Sequence, residues 1–182
     1  MVKKIRTHSR VPIVLAVLAL ALFGLVQVVL GGGIDPNDKW AWSTNAGWIN
    51  FDPLCTGCDG VAVYSDHLEG YAWGENIGWI RVGSYDGGGA HTYANTTAGD
   101  YGVNNDGAGY LSGYAWGTNV GWINFDPDGS ERVTIDPASG EFDGYAWGEN
   151  IGWIHFRGTG PVGYGVSLVI HPIYLPLMLR NS

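Results

Sequence analysis

Positive charge is scarce in this sequence beyond its first thirty residues. Only Lys39, Arg81, Arg132, Arg157 and Arg180 carry it there, five against 17 acidic residues in the same stretch, a balance of −12. A segment this acidic repels phosphate backbones, which sets nucleic acid aside as a partner. Cysteine is nearly absent as well. Cys55 and Cys58 form a single C-x-x-C, too little for a disulfide framework and without the second Cys or His pair a structural zinc site needs. A local disulfide pinning one loop in an oxidising compartment is the favoured reading. A metal site and a redox pair are the less favoured ones, the redox pair wanting a βαβ setting. Catalytic signatures are also missing. The chain holds no G-x-S-x-G, no H-E-x-x-H and no phosphate-cradling glycine loop. His67, His91, His155 and His171 are dispersed over unlike contexts. The carboxylates of Glu75 and Glu149, if they meet in space, leave a small secreted glycan-active enzyme as the alternative to a non-enzymatic protein.

What is present begins with a leader-like segment. Lys3, Lys4, Arg6 and Arg10 precede an apolar run from Val11 to Leu30, broken only by Pro12, Gly24 and Gln27. A basic start followed by an apolar stretch has the form of a Sec-type signal. The run also reaches the roughly 20 residues that span a bilayer. Residues 1–33 are therefore expected to be an apolar helix acting as a cleaved signal or an uncleaved anchor, the only part to touch membrane. Either way the remainder is exported, to the cell surface or the extracellular space. The chain has 30 glycines, most of them in that remainder, and abundant aromatics, so the remainder should be ordered, in short strands joined by tight turns.

Four segments of the chain align without gaps: WAWSTNAGWINF (40–51), YAWGENIGWIRV (71–82), YAWGTNVGWINF (114–125) and YAWGENIGWIHF (145–156). All nine tryptophans fall inside them. Trp42, Trp73, Trp116 and Trp147 are spaced so that the first and second copies repeat as the third and fourth, which divides the chain into modules at 34–107 and 108–165. A strand or tail at 166–182 follows. Such periodicity marks supersecondary units that cannot bury an apolar face alone. Each copy reads as strand, turn, strand, with lead-in strands at Val61–Tyr64, Tyr101–Asn104 and Arg132–Ile135. The expected fold is all-β: tandem three-stranded meanders or hairpins in a sandwich- or propeller-like array. Asn45, Asn76, Asn119 and Asn150 share one turn position and are expected to make the turn, since Asn tolerates the left-handed region.

Strand alternation separates two faces. If Trp73 pairs with Trp79, then Tyr71, Trp73, Trp79 and Arg81 share one side and Ala72, Ile80 and Val82 the other, which is core. On the aromatic side, rings of adjacent hairpins either pack together or stay exposed as platforms for sugar rings, and packing is favoured for most of them. Candidate platform residues are Trp73, Trp79, Trp147 and Trp153. Arg81, His155, Glu75 and Glu149, at positions that vary between copies, are the candidates for selectivity. Asp126, Asp128 and Glu131 space oxygen donors around a glycine as calcium loops do. Ca²⁺ is the one cofactor worth testing there, with a solvated turn as the default and no cofactor otherwise.

GYAWGENIGWI-type segments resemble Trp-rich tandem repeats of bacterial surface and secreted proteins, over about residues 39–165. The tail Ile173–Asn181, reading IYLPLMLRN, resembles the Y-L-P-L-x-x-R-N tails of exported proteins in some filamentous bacteria. The resemblance implies export and a sorting or retention signal, and names no activity. The expectation is a non-enzymatic protein of the cell surface, serving adhesion, envelope structure or glycan binding, with glycans, envelope components or further copies of itself as partners.

Overall fold

The computed structural model describes residues 32–54, 60–159 and 163–170. The N-terminal apolar segment, Cys55 and Cys58, and the YLPL-containing tail lie outside the described residues. The described chain is all-β. Its strands are β1 (Gly32–Ser43), β2 (Gly47–Asn50), β3 (Ala62–Val63), β4 (Leu68–Glu69), β5 (Tyr71–Gly74), β6 (Gly78–Arg81), β7 (Val103–Asn105), β8 (Leu111–Gly117), β9 (Gly121–Asn124), β10 (Thr134–Ile135), β11 (Phe142–Asp143), β12 (Tyr145–Gly148), β13 (Gly152–His155), β14 (Arg157–Gly158) and β15 (Tyr164–Leu168).

The four tryptophan segments are the hairpins β1–β2, β5–β6, β8–β9 and β12–β13, called hairpins 1 to 4. Each pairs in the expected register, Trp73 opposite Trp79 in hairpin 2 and Trp147 opposite Trp153 in hairpin 4. Neighbouring hairpins then join antiparallel in chain order. Asn50 pairs with Trp73, Arg81 with Trp116 and Asn124 with Trp147. The ring closes where Trp42 of hairpin 1 meets His155 of hairpin 4. The repeats thus form a closed eight-stranded barrel, not the expected sandwich or propeller. Eight strands enclose a space that side chains alone can fill, and closure removes the edges that a four-hairpin ribbon would expose.

The interior is filled in rings. Ala41, Ala72, Ala115 and Ala146 form one, Ile49, Ile80, Ile123 and Ile154 the next, and all eight are buried. At the turn end Ala46, Ile77, Val120 and Ile151 plug the barrel. Their bulk explains the residue that opens each turn. A Cβ at Gly74 would lie 2.5 Å from Cγ1 of Ile77, and Gly117 and Gly148 are crowded likewise by Val120 and Ile151. Hairpin 1 has Ser43 at this place because its plug residue is only Ala46.

At the opposite end Phe51, Val82, Phe125 and Phe156 close the barrel. The lead-in strands form small hairpins there: β3–β4, β7 with the start of β8, and β10–β11. Gly70, Gly113 and Gly144, with φ of 92°, 91° and 85°, turn the chain from these hairpins into the barrel wall, a left-handed conformation that glycine adopts without steric cost. Phe142 stacks on Phe156 at 6.0 Å, and β15 pairs with β1 beside them.

Candidate functional site

The turns hold the barrel together in a way the sequence reading did not anticipate. Among the described residues the only non-glycine with positive φ is Asn95, so Asn45, Asn76, Asn119 and Asn150 are not the left-handed residues of their turns. Gly47, Gly78, Gly121 and Gly152 are. Each Asn instead donates its side-chain amide to a turn carbonyl of the preceding hairpin: Asn76 to Ala46 at 3.1 Å, Asn119 to Ile77 at 3.0 Å, Asn150 to Val120 at 2.9 Å and Asn45 to Ile151 at 3.2 Å. The four bonds run once around the barrel mouth.

Outside the barrel the tryptophans form a belt. They pack edge-to-face within each hairpin, with centroids 4.7 Å apart for Trp42–Trp48, 4.8 Å for Trp73–Trp79, 4.6 Å for Trp116–Trp122 and 4.8 Å for Trp147–Trp153. The rings therefore pair within hairpins rather than between adjacent ones. Packing leaves Trp48, Trp79, Trp122 and Trp153 about two-fifths exposed, at 43%, 41%, 41% and 44%. The belt is at once part of the folding unit and an exposed aromatic surface, larger than the scattered apolar residues of an ordinary surface.

The odd and even hairpins differ in what surrounds those rings. In the even hairpins a cationic or imidazole side chain occupies the tyrosine face. Arg81 lies 5.6 Å over the Tyr71 ring and is held by the Ser84 carbonyl and the Asp86 carboxylate. His155 stacks on Tyr145 at 4.3 Å and hydrogen-bonds the Tyr164 hydroxyl at 3.0 Å through Nδ1. Burial lowers the His155 pKa, with Asp143 opposing the shift. In the odd hairpins Asn50 and Asn124 take this place and accept the Asp52 and Asp126 backbone N–H groups.

Two clefts result, built on repeat-related rings and glutamates but walled by different segments. The first is lined by Trp40, Trp48, Glu75, Asn37 and Tyr164 and encloses about 360 Å³. The second is lined by Tyr114, Trp122, Glu149, Asn95 and Tyr101 and encloses about 410 Å³. Both are at the small end of the range for ligand sites, about 300–1,000 Å³. In each the odd-hairpin tryptophan is walled by a tyrosine from outside the four aligned segments or their strands: Tyr164 meets Trp48 edge-on at 5.1 Å and Tyr101 meets Trp122 at 5.0 Å. Burial raises the pKa of both tyrosines, which keeps their hydroxyls neutral at ordinary pH.

The structure therefore regroups the residues expected at a site. Glu75 and Glu149 stand beside Trp48 and Trp122 of the preceding hairpins, not beside Trp79 and Trp153 of their own. They also line different clefts on opposite seams of the ring, so they do not form a paired-carboxylate centre. Arg81 and His155 are committed to local contacts. Trp48, Trp122, Tyr101 and Tyr164, which the sequence pattern does not single out, line the two clefts. Glu alternating with Thr at the turn (Thr44, Glu75, Thr118, Glu149) was the available signal.

Among the acidic loop residues, Asp128 Oδ1 accepts the N–H groups of Ser130 and Glu131, and the Glu131 N–H above all holds its carboxyl below the ordinary value. Asp126 lies 3.4 Å from Arg132. No group of three or more His, Cys, Asp or Glu side chains able to hold a metal occurs among the described residues.

A second polar cluster also went unread. His67, fully buried, bonds Asp66 through Nδ1 at 2.7 Å and Glu69 through Nε2 at 2.8 Å. Tyr64 stacks on its ring at 4.7 Å. The same carboxylates accept the N–H groups of His91 and Gly88, and Tyr93 Oη donates to the Leu68 carbonyl. Together these bonds clamp the 84–100 loop, whose far end supplies Asn95 to the second cleft. Burial works against the Asp66 charge, but the His67 bond and the His91 N–H outweigh it and hold Asp66 below its ordinary value.

Compared with known family models, curated proteins and solved structures, the chain matches none.

Proposed function

We propose that this protein is an exported, non-enzymatic barrel of the cell surface or extracellular space that binds glycans through its outer aromatic belt, in adhesion or envelope structure. The observation that carries the reading is the pair of clefts, each with a half-exposed tryptophan, an edge-on tyrosine and a carboxylate at its mouth. A pyranose ring presents a patch of C–H groups on its face and hydroxyls around its rim. A half-exposed indole offers the apolar surface for the first, and carboxylate and amide groups offer hydrogen bonds for the second. The basic-then-apolar start of the chain supports export, with membrane contact confined to the N-terminal segment. The absence of a catalytic signature in the sequence favours binding over turnover.

A glycan-array screen of the chain, run with and without calcium, tests this. Retention of a glycan family with no released product is expected. Retention of none in either condition sinks the reading, and release of shortened product turns it toward the glycan-active enzyme.

A further inference from the structure

We infer that the barrel carries two equivalent sites for uncharged hexopyranose chains, at the seams of hairpins 1–2 and 3–4 only, and so binds two chains at once. This rests on the glycan-binding reading above and goes beyond it in number, place and ligand charge. A four-fold repeat would by itself suggest four sites. The structure breaks that symmetry into two and two.

Three features separate the seams. First, Trp48 and Trp122 are each walled on a third side by Tyr164 and Tyr101, whereas among the described residues the aromatic partners of Trp79 and Trp153 are their own hairpin's Tyr71 and Trp73, or Tyr145 and Trp147. A ring held on three sides makes a cleft, and one held on two makes a ridge. Second, Arg81 and His155 cover the ridge tyrosines, while the matching Asn50 and Asn124 leave Trp40 and Tyr114 uncovered and 37% and 39% exposed. Third, the turn that overhangs each cleft carries Glu75 or Glu149, and the turns over the other seams carry Thr118 and Thr44. Neither glutamate forms an ion pair among the described residues, and both are exposed.

Charge sets the ligand class. Neither cleft is lined by a Lys or Arg. Asp38, in the first, is already paired with Arg157 at 3.3 Å. A glutamate at the mouth accepts hydrogen bonds from vicinal hydroxyls and repels a uronate or sulfate, a repulsion reinforced by the acidity of the whole exported part. Hairpins 1 and 3 are opposite members of a four-hairpin ring, so the two clefts face away from one another. One glycan chain does not fill both, and the protein cross-links.

Titration calorimetry of the full chain with cellohexaose and chitohexaose as uncharged probes, and hexagalacturonate as the acidic one, tests the inference. Two equivalents of an uncharged probe and no heat with hexagalacturonate are expected. Glu75→Arg and Glu149→Arg should each weaken one site by at least about tenfold, the scale of one charge-assisted hydrogen bond, so that each single variant shows one tight equivalent and the double variant shows none. Thr44→Arg and Thr118→Arg make the same change at the same exposed turn position of the other seams and should leave binding intact. Equal melting temperatures in all four variants would show that folding is not what changed. A stoichiometry of one or four, losses from the threonine variants instead of the glutamate ones, or preference for hexagalacturonate overturns the inference while leaving glycan binding standing. No heat with any probe, joined to an empty glycan array, removes both.

Discussion

The side-chain amide of Asn76 donates to the Ala46 carbonyl, 30 residues earlier, at 3.1 Å, and a Cβ on Gly47 would come just as close to that amide. The relationship recurs at every seam, including Asn45 with Ile151 and Gly152 across the closure of the barrel. One asparagine and one glycine per repeat therefore tie each hairpin to its neighbour. Alanine at any of the four asparagines should cost about 1 kcal/mol and lower the melting temperature by about 3–5 °C. Calorimetric melting of the four single variants checks this. If Asn45→Ala alone were silent, the barrel would not be closed between hairpins 1 and 4.

The turn plug predicts a compensated pair. Gly74→Ser places a side chain against Ile77 and should destabilise by about 1–3 kcal/mol through overpacking. Adding Ile77→Ala recreates the Ser43–Ala46 arrangement of hairpin 1 and should recover part of that loss. Denaturant unfolding of the two singles and the double gives the coupling. Additive losses would contradict the account.

Removing His67 leaves Asp66 and Glu69 without their shared partner, and His67→Leu should cost about 3–5 kcal/mol. Asp66, held below its ordinary value, contributes stability that is present above the unfolded carboxylate range and lost as pH falls through its folded pKa. Unfolding curves collected down to pH 3 should show this loss in the wild type and a smaller one in Asp66→Asn. A loop that resists proteolysis equally well in His67→Leu would contradict its role as the clamp.

His155 gives a dependence at milder pH. Its pKa is depressed by burial, so the unfolded chain takes up the proton first. The group adds nothing above the ordinary histidine range and costs stability progressively as pH falls through that range toward the folded value. His155→Gln should flatten the slope of melting temperature between pH 7 and pH 5 while leaving the pH 7 value nearly unchanged. An unaltered slope would mean that burial does not depress the His155 pKa in the folded barrel.

Much of the barrel is legible in the residues. Alternation places Ala72 and Ile80 inside and Trp73 and Trp79 outside, and the hairpin register follows from the glycine turn. Closure is less legible, because Trp42 pairs with His155 across nearly the whole repeat and no local pattern reports that contact. The asparagine side chains illustrate the same limit: a residue suited to a left-handed turn was used instead to reach the next hairpin. The lining of the clefts is hard to read for a related reason. Glu75 follows Trp73 in sequence, but strand pairing carries it to Trp48, and the walls come from Tyr101 and Tyr164, outside the aligned segments. The clamp had a quiet signal in Asp66-His-Leu-Glu69, where His67 and Glu69 share the strand face opposite Leu68.

The most direct test of the central claim is a two-dimensional NMR titration of the indole N–H resonances with cellohexaose. The account predicts that the signals of Trp48 and Trp122 shift together while those of Trp79 and Trp153 stay in place. Movement of Trp79 and Trp153 instead, or of no indole at a saturating concentration of the probe, would contradict it.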